Sequence, residues 1–392
     1  MKQKMQKTNI IIAGAGLVGL SFALCMKNRG LSIEILETHL PDILTQSKSD
    51  SRPISLSFGS IRILKAINVW DKISDFACPI LSVHVSEQNR FGFTEFSAEE
   101  QKVSALGYVV PFAKLQSALY FEAAAQSDIN IRAIKLIEKI KCDEHSAIIT
   151  TDENEMHSDL FVAADGTNST CRDLLGISFS EKEYDDIAKI FQLELSENHT
   201  NTAYERFTKF GVLAVLPLHG KNKAQLVWTM KKKQECENIL EFLQNTFEGR
   251  LSIQDAKEIA QFPLKTIIAE KQITQSAVLL GNSAHTIYPV AAQGFNLGLH
   301  DAALLSDILL EVKNNLSDFS ILKKYETQVS KHQRAIFCIT DNLTSVFELP
   351  LIGSLRGLGL LTTDLISPMK NKLAKRTMGI AEKMPRLLRG HL

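Results

Sequence analysis

The hexapeptide GAGLVG, from Gly14 to Gly19, decides the fold of this chain. It follows a short apolar run, Ile10 to Ala13, and precedes a helix-like segment, Leu17 to Lys27. Ser32 to Glu37 is then typical of a second strand. Strand, glycine turn, helix and strand together predict a βαβ nucleotide-binding unit.

Each glycine of the hexapeptide has a physical role in such a unit. Gly14 permits the tight turn, Gly16 lets the backbone approach a pyrophosphate, and Gly19 allows close packing of the helix. The helix N-terminus offers amide donors to the phosphates. Glu37, at the end of the second strand, can accept hydrogen bonds from ribose hydroxyls and disfavours a phosphorylated ribose. The alternative is a glycine turn that only connects two buried elements.

Composition sets the class of protein. The chain has 392 residues, is 45% hydrophobic and has zero formal net charge. This length predicts two or three structural units. Without a basic stripe that includes aromatic residues, nucleic acid is not expected as a partner. The six cysteines lack C-x-x-C or metal-ligand spacing, so we expect free thiols in a reducing compartment, some of them buried, and no metal site.

The termini and apolar runs bear on location. Met1 to Thr8 is a short polar lead without a signal-peptide core, which predicts a cytoplasmic protein. No apolar run reaches the ~20 residues that a membrane-spanning helix needs. The longest candidate, Leu349 to Leu361, is interrupted by three glycines and Arg356. Any membrane contact is therefore expected to be peripheral.

The next segments place two polar candidates. Ser51 to Gly59 is interpreted as a loop that leads into a helix, and its Arg52 could donate to a cofactor or cap the loop. Leu81 to Phe96 alternates like a β-hairpin. Lys114 to Ala125 has helical spacing, with Gln116 facing either a ligand or solvent.

A second domain is predicted between Tyr184 and Phe262. Its first part has the alternating pattern of strands, and a helix from Glu235 to Thr246 follows them. The antiparallel strands expected there are Ile190 to Leu195, Ala203 to Phe210, Leu213 to Leu218 and Ala224 to Met230. Such a sheet could cover a bound substrate. Before it, Asp165 and Gly166 end a strand from Met156 to Ala164; an Asp-Gly pair there is often only a turn.

The third glycine stretch, GNSAHTIYPVAAQGFNLG, runs from Gly281 to Gly298. It joins a short strand, Val278 to Gly281, to a helix that is predicted from Gly294 to Leu310. The N-terminus of that helix, next to an isoalloxazine ring, would stabilise the negative charge that builds up on a reduced flavin. Pro289 stiffens the approach. Gly294 and Gly298 permit close contact with a ring or, alternatively, with another helix.

These motifs resemble a known family. GAGLVG, VAADGTNS followed by Arg172, and LLGNSAHTIYPVAAQGFNLGLHDA are similar to the flavin monooxygenases of the para-hydroxybenzoate hydroxylase fold, and within them to the ubiquinone-biosynthesis hydroxylases. SVHVSEQNRFGF and AYERFTKFGVLAVLPL resemble the branch that acts on 2-polyprenyl-6-methoxyphenol. One departure is Gly281-Asn282, where the superfamily commonly has Gly-Asp. An amide there can still form hydrogen bonds.

The resemblance implies an α/β fold with a Rossmann-like FAD-binding domain, a second antiparallel-sheet substrate domain and a helical C-terminus. The FAD-binding domain would comprise residues 1–75, 101–180 and 270–330. The substrate domain would comprise 76–100 and 181–269, and the C-terminal helical region 331–392. The cofactor would be FAD, with NAD(P)H as the electron donor.

The resemblance also implies a set of site residues. The ADP half of FAD would be held at Gly14, Gly16, Gly19 and Glu37, with Arg52 and Gln116 nearby. Asp165 and Gly166 would contact FAD and NAD(P)H, and the ribityl chain and ring would lie against Asn282, Gly294 and Asn296. His285, Pro289 and Gly294 are the candidate catalytic positions.

The implied activity is hydroxylation of a polyprenyl phenol by O2 and NAD(P)H through a flavin C4a-hydroperoxide. Two alternatives are a hydroxylase of another ring position and a non-catalytic flavin-binding scaffold among other ubiquinone-biosynthesis proteins. A base would help, because a phenol ionises near pH ~10. His285 is the best-placed candidate, although it could simply bond the backbone, and Tyr108, Tyr288 and His219 are weaker ones.

The C-terminal segment, Lys370 to Leu392, holds seven Lys or Arg residues and one acid, Glu382, interleaved with apolar residues. One interpretation is an amphipathic basic element on the inner face of the bacterial inner membrane. The other is a solvated helix that packs on its own domain.

Overall fold

The computed structural model describes residues 8–40, 52–234, 236–288, 293–312, 315–348, 367–380 and 385–387. The strands, in chain order, are β1 (Thr8–Ala13), β2 (Ile33–Glu37), β3 (Pro53–Ser57), β4 (Cys78–Ile80), β5 (Ser82–Glu87), β6 (Phe93–Ser97), β7 (Gly107–Pro111), β8 (Ile129–Ala133), β9 (Ile137–Cys142), β10 (Ala147–Thr151), β11 (Glu155–Ala163), β12 (Phe179–Leu195), β13 (Thr202–Thr208), β14 (Gly211–Pro217), β15 (Lys223–Lys231), β16 (Ile253–Ala269), β17 (Ile273–Thr274), β18 (Ala277–Leu279) and β19 (His285–Thr286). The α-helices are α1 (Leu17–Cys25), α2 (Phe58–Ala66), α3 (Phe112–Ala124), α4 (Thr170–Leu174), α5 (Ile239–Phe247), α6 (Gln293–Leu309), α7 (Phe319–Glu348) and α8 (Ser367–Thr377). Short 3-10 helices occur at Trp70–Lys72, Ser74–Phe76 and Gly281–Ser283.

The first sheet has the order β17-β18-β11-β1-β2-β8, with the pair β9 and β10 attached to β11. Strands β18, β11, β1, β2 and β8 are parallel neighbours. The residues Ile10, Ile11 and Ile12 of β1 are fully buried, as expected for a strand covered on both faces. The predicted βαβ unit is confirmed, with its helix ending at Cys25 and its second strand beginning at Ile33.

Helix α6 lies between α1 and α7 and forms the centre of the largest apolar core. Its Leu299, Ala302 and Leu305 are completely buried. On α7, Leu322, Tyr325 and Val329 are also completely buried and belong to the same apolar core as the α6 residues. The helix of the third glycine stretch, α6, therefore packs on α1, the helix of the first glycine stretch.

The second sheet has the order β19-β16-β12-β15-β14-β13-β5-β6. Its pairs are antiparallel except for β13 and β5, which run parallel. The predicted antiparallel sheet is present, including the hairpin of β5 and β6. Strand β16 was not predicted, although it pairs with β12 along most of its length.

Helix α5 covers one face of this sheet. Its Leu243 and Phe247 pack in a cluster with Leu226 and Trp228. The helix was predicted from Glu235 but begins at Ile239, because the side chain of Asn238 accepts a hydrogen bond from the amide of Glu241 and caps the N-terminus. The opposite face of the sheet turns towards the rest of the chain.

A small third sheet, β3-β7-β4, joins the two larger ones. The prediction of a loop over Ser51 to Gly59 was wrong for residues 53–57, which form β3 and pair with β7 from Pro53↔Pro111 to Ser57↔Gly107. Strand β4 pairs with β7 as well. Residues 78–80, which we predicted to belong to the substrate domain, thus pair with the segment predicted to bind FAD.

The C-terminal helix α8 packs on the protein itself. Ala374 and Met378 are buried in a cluster with Phe96, Ala98 and Leu106. The apolar side of α8 therefore packs on its own domain, as in the second of the two interpretations, while Lys375 and Arg376 are exposed. Within the described ranges, no helix combines the length and apolar character that crossing a bilayer requires.

Candidate active site

The first glycine stretch forms a tight, uncapped helix start. Gly14 has a φ of +103°, and a Cβ atom there would lie 2.5 Å from the carbonyl oxygen of Ala164. A Cβ on Gly19 would lie 2.1 Å from the carbonyl oxygen of Gly14, whereas one on Gly16 would meet nothing within 4 Å. No side chain caps α1 and no acid lies in its first turn. The predicted roles of the three glycines thus fit a phosphate cradle that opens beside Gly16.

Glu37 lies across the glycine turn at the end of β2. Its Oε2 atom accepts a hydrogen bond of 2.6 Å from the amide of Ala15, and its Oε1 atom accepts one of 2.9 Å from the amide of His39. The carboxylate is therefore fixed beside the start of α1. This is the position from which an acid can accept bonds from the ribose of a dinucleotide.

The second glycine motif begins where β11 ends. Asp165 accepts hydrogen bonds from the Ser169 hydroxyl at 2.5 Å and from the amide of Cys171 at 3.0 Å. Its carboxylate therefore orders the turn into α4. Gly166 has a φ of +91°, and a Cβ there would meet nothing within 4 Å. Within the described ranges, Gly166, not the Asp165 side chain, is the member of this pair with open space beside it.

The third glycine stretch packs against the first. Gly281 has a φ of +65°, and a Cβ on it would lie 3.1 Å from both methyl groups of Val18. A Cβ on Gly298 would lie 2.8 Å from Val18 Cγ2, whereas one on Gly294 would meet none of the described residues within 4 Å. Gly298 thus serves helix packing, and the described part of the chain leaves space beside Gly294. Pro289 lies outside the described residues.

Asn282 connects the second and third stretches. Its Nδ2 atom donates to the hydroxyl of Thr167 at 3.3 Å, and the hydroxyl of Thr286 donates to the same oxygen at 3.1 Å. The Asn282 side chain is exposed. An amide in place of the usual acid therefore keeps a hydrogen-bonding role here. Thr167 and Thr286 were not predicted, because a lone threonine carries no motif signal.

The side chain of Asn296 links α6 to the small sheet. Its Oδ1 atom accepts from the amide of Ser57 at 2.9 Å and from the hydroxyl of Ser60 at 2.7 Å, and its Nδ2 atom donates to the carbonyl of Ser55 at 2.9 Å. We predicted cofactor contact for Asn296. The structure gives its side chain a packing role, which fixes α6 against β3 and α2.

Arg52 and Gln116 differ in exposure. Arg52 is exposed, with its guanidinium 5.4 Å from the centre of the Phe112 ring. Gln116 is partly buried, and its Oε1 atom is buried without a hydrogen-bond partner among the described residues. Because a buried amide oxygen without a partner is costly, Gln116 has a vacant acceptor that a ligand donor would satisfy.

His285 is held in a buried polar cluster. Its Nε2 atom lies 2.8 Å from Oδ2 of Asp301, and the side chain is 1% exposed. Gln333 donates to the same oxygen at 2.8 Å. Burial alone would raise the pKa of Asp301, but the hydrogen bonds from His285 and His300 hold it well below its ordinary value. Asp301 was not predicted as a site residue, although it lies at the end of the third quoted motif.

The weaker base candidates are dispersed. Tyr108 packs edge-on against Trp70 at 4.9 Å between ring centroids. The hydroxyl of Tyr288 donates to Asp186 at 3.0 Å, and His219 is exposed on a turn. The structure therefore does not bring Tyr108, Tyr288 and His219 to one place.

A small cavity of about 20 Å³ lies between α2, α6, α7 and α8. It is lined by Ser60, Asn296, His300 and His332, among others, and by no residue of the first glycine stretch. It therefore lies beside the packing contacts of Asn296, separate from the phosphate cradle.

The fold and the three converging glycine stretches define a flavin-binding protein. The residues fit FAD, because the cradle at Gly16 is open, the start of α1 is uncapped and Gln116 has a vacant buried acceptor. The chain belongs to the FAD binding domain family, which it matches over residues 7–340. The predicted FAD cofactor and the prediction of an FAD-dependent monooxygenase are confirmed, and NAD(P)H is the typical donor of this family.

Named relatives match nearly the whole chain. It is 30% identical to the uncharacterized protein slr1300 of Synechocystis, over 97% of this chain and 95% of that protein. It is 27% identical to 3-demethoxyubiquinol 3-hydroxylase of Escherichia coli, over 96% of this chain and 99% of that enzyme. The fold is similar to that of p-nitrophenol 4-monooxygenase PnpA from Pseudomonas putida, with a TM-score of 0.76 at 15% identity, over 97% of this chain and 100% of that one. The predicted resemblance to ubiquinone hydroxylases is confirmed.

Proposed function

We propose that this enzyme hydroxylates the aromatic ring of a polyprenyl phenol in ubiquinone biosynthesis, with O2 and NAD(P)H as co-substrates. The observation that carries the proposal is the match to the hydroxylase of Escherichia coli over almost the full length of both chains. The substrate that we assign is 2-polyprenyl-6-methoxyphenol, on the resemblance of the segments around the β5–β6 hairpin and β13–β14.

The proposed cofactor contacts follow from the open positions of the cradle. Gly14, Gly16 and Gly19 shape the turn under the pyrophosphate, and Glu37 accepts from the ribose. The remaining contacts assigned to FAD are Arg52, Gln116, Asp165, Gly166, Asn282, Gly294 and Asn296, the last of these through its backbone. Bound FAD would take electrons from NAD(P)H and pass them to O2.

The second sheet would cover the site on the side of the third glycine stretch. Tyr288, in the third glycine stretch, packs against Ala188, Val227 and Leu264 of this sheet and donates its hydroxyl to Asp186. This contact ties the segment beside the proposed ring position to the sheet. A covered site excludes bulk water, which would otherwise release the activated oxygen as hydrogen peroxide.

A second candidate is the hydroxylation of a demethoxyubiquinol. It is favoured by the name of the relative in Escherichia coli, a 3-demethoxyubiquinol 3-hydroxylase. The two candidates share cofactor, fold and reaction type, and differ in the ring carbon that is attacked.

The test uses purified holoenzyme and short-tail analogues of both substrates, each with a matched analogue in which the attacked ring carbon carries a methyl group. With one of the two substrate analogues, we expect NAD(P)H oxidation and a hydroxylated product. The matched analogue with a methyl group on the attacked carbon should give no hydroxylated product. Product from the demethoxyubiquinol analogue alone would establish the second candidate. Purified protein without FAD, or without product from either analogue, would refute the proposed activity.

Peripheral membrane association remains part of the proposal, because the substrate carries a lipid tail. Lys375 and Arg376 of α8 are exposed, and each cation near an anionic surface contributes about 1 kcal/mol. Flotation with anionic vesicles should decrease when both are changed to Gln, and equal flotation of the variant would refute a role for this helix.

A further inference from the structure

One transverse row of the second sheet contains a single charged residue, Glu205. Residues that lie directly opposite each other on neighbouring strands share a face of the sheet. Across β12, β15, β14, β13, β5 and β6, the register aligns Ile190, Val227, Ala214, Glu205, Val85 and Thr94. The carboxylate of Glu205 is thus flanked by Ala214 and Val85.

This row faces the FAD-binding part of the chain. At one end, Val227 packs in a cluster with Tyr288 of the third glycine stretch. At the other, Val85 belongs to the same apolar cluster as Phe58, the first residue of α2. Ala203, two residues before Glu205 on the same face, packs in a cluster with Cys78 and Val109 of the small sheet.

Glu205 therefore lies above the space between the start of α2 and the third glycine stretch. Neighbouring strands are about 4.8 Å apart, so Glu205 is one strand from Val85 and two strands, about 10 Å, from Val227. A phenol bound between this sheet and the cofactor would have its ring within reach of the carboxylate.

The Glu205 carboxylate is available. In the described part of the chain, Glu205 makes no hydrogen bond or ion pair, and its side chain remains partly exposed. Burial raises its pKa to about 7.

Charged groups lie near Glu205 on the same face of the sheet and on α8, which packs in the cluster of Val85 and carries Lys375 and Arg376. On the same face, Glu87 lies beside Phe207 in the register, and Asp186 is paired with Lys231 and Tyr288. Arg206, the next residue on β13, points to the opposite face and donates to Ser86 there.

We propose that Glu205 is a catalytic residue, whose carboxylate takes the proton from the hydroxyl of the phenol substrate. This inference rests on the proposed function for its substrate. It assigns the base that the sequence left open and gives the second sheet a chemical role besides covering the site.

The proton transfer balances with the overall reaction. The O–H bond of the phenol breaks, its proton bonds to the carboxylate, and the electron pair moves into the ring. A ring carbon ortho or para to the oxygen then bonds to one atom of O2, and the other atom leaves as water with the electrons of NAD(P)H. When that carbon loses its hydrogen to water, the carboxyl returns its proton to the phenol oxygen.

The properties of Glu205 suit this step. General-base catalysis is most efficient when the pKa of the base lies near the working pH. An ordinary glutamate, with a pKa of ~4.3, is a much weaker base.

The first test compares Glu205→Gln with Glu205→Asp and with Glu95→Gln, a matched change on the opposite face of β6. Glu205→Gln should retain FAD and lower kcat by a factor of about 10² to 10⁴. Wild type should lose kcat/KM as the pH falls through about 7, and Glu205→Gln should lack this acid limb, whereas Glu205→Asp and Glu95→Gln keep it. An acid limb that persists in Glu205→Gln would overturn the inference.

A second measurement does not need turnover. 4-Nitrophenol changes its absorption when it ionises, and a carboxylate beside its oxygen raises its pKa. Bound to wild type or Glu95→Gln, the probe should therefore ionise at a higher pH than when bound to Glu205→Gln. The same ionisation pH in all three would overturn the inference. A shifted probe in an enzyme that hydroxylates no phenol would refute the proposed function and leave Glu205 as a phenol-binding group.

Discussion

Gly298 of α6 lies directly against Val18 of α1. A Cβ atom on Gly298 would be 2.8 Å from Cγ2 of Val18 and 3.3 Å from Cα of Gly281. The first and third glycine stretches therefore meet through a contact that leaves no room for a methyl group. This contact fixes the start of α6 relative to the phosphate cradle.

The first prediction concerns this contact. Gly298→Ala should lower the free energy of unfolding by about 1–3 kcal/mol, because an added methyl group in a packed interior forces its neighbours apart. The double variant with Val18→Ala should recover much of the loss. Gly294→Ala is the matched control, since its methyl group would meet nothing within 4 Å. Urea unfolding measures all three, and equal stability of the two single variants would contradict the packing argument.

The second prediction concerns Glu37. Glu37→Ala removes the carboxylate that lies beside the amide of Ala15, so the ribose of FAD should lose a charged acceptor. Hydrogen bonds to charged groups contribute about 1.5–3 kcal/mol, which corresponds to a rise in the Kd for FAD of roughly 10- to 100-fold. Titration of apoprotein with FAD, followed by flavin fluorescence, measures it. Glu138→Ala, an exposed site on β9, should leave the Kd unchanged.

The third prediction concerns acid stability. The pKa of Asp301 is lowered in the folded protein, so its ionised form stabilises the fold above the ordinary value of 3.8, and this contribution is lost as the pH falls below it. Asp301→Asn should cost about 1.5–3 kcal/mol at neutral pH, since it removes the charged acceptor of buried hydrogen bonds with His285 and Gln333. The difference from wild type should shrink in acid. Urea unfolding across this range measures it, with the exposed Asp71→Asn as control; a difference independent of pH would contradict the prediction.

The same cluster tests the catalytic hypothesis for His285. Because His285 is 1% exposed and bound to Asp301, we expect His285→Asn to lower stability while the ratio of product to NAD(P)H consumed stays unchanged. Loss of coupled hydroxylation in a folded, FAD-loaded variant would instead support a catalytic role.

The fourth prediction concerns the C-terminal helix. Met378→Ala should lower the free energy of unfolding by about 2–5 kcal/mol, because Met378 is 3% exposed in a packed cluster. The exposed Lys375→Ala should change it by less than about 0.5 kcal/mol. Equal stability of the two variants would contradict the packing of this helix on Phe96 and Leu106.

The sequence predicted elements whose side chains alternate or repeat, and missed those held by backbone pairing. Strand β16 is exposed at most positions from Gln254 to Phe262, so no apolar pattern marks it. Its backbone hydrogen bonds to β12 leave no pattern in the side-chain sequence, so the strand could not be predicted. Strand β3 was taken for a loop because Pro53, Ser55 and Ser57 are typical of turns.

The residues of the candidate site also differ in whether the sequence could predict them. Gly14, Gly16 and Gly19 carry a local backbone requirement that a motif can express. Asp301 and Glu205 gain their properties from partners or neighbours on other elements, such as His285 or Ala214. The burial that alters their pKa values arises only when those elements pack together.

The parallel pairing of β11 with β18 has a consequence during translation. β18 begins more than a hundred residues after β11 ends, so its synthesis lags by on the order of ten seconds at ~5–20 residues per second. Until then the nascent chain exposes the edge of β11 and lacks α6. Cofactor loading must therefore wait for the ribosome to pass residue 309, and truncated chains that end before β18 should aggregate through the open edge of β11.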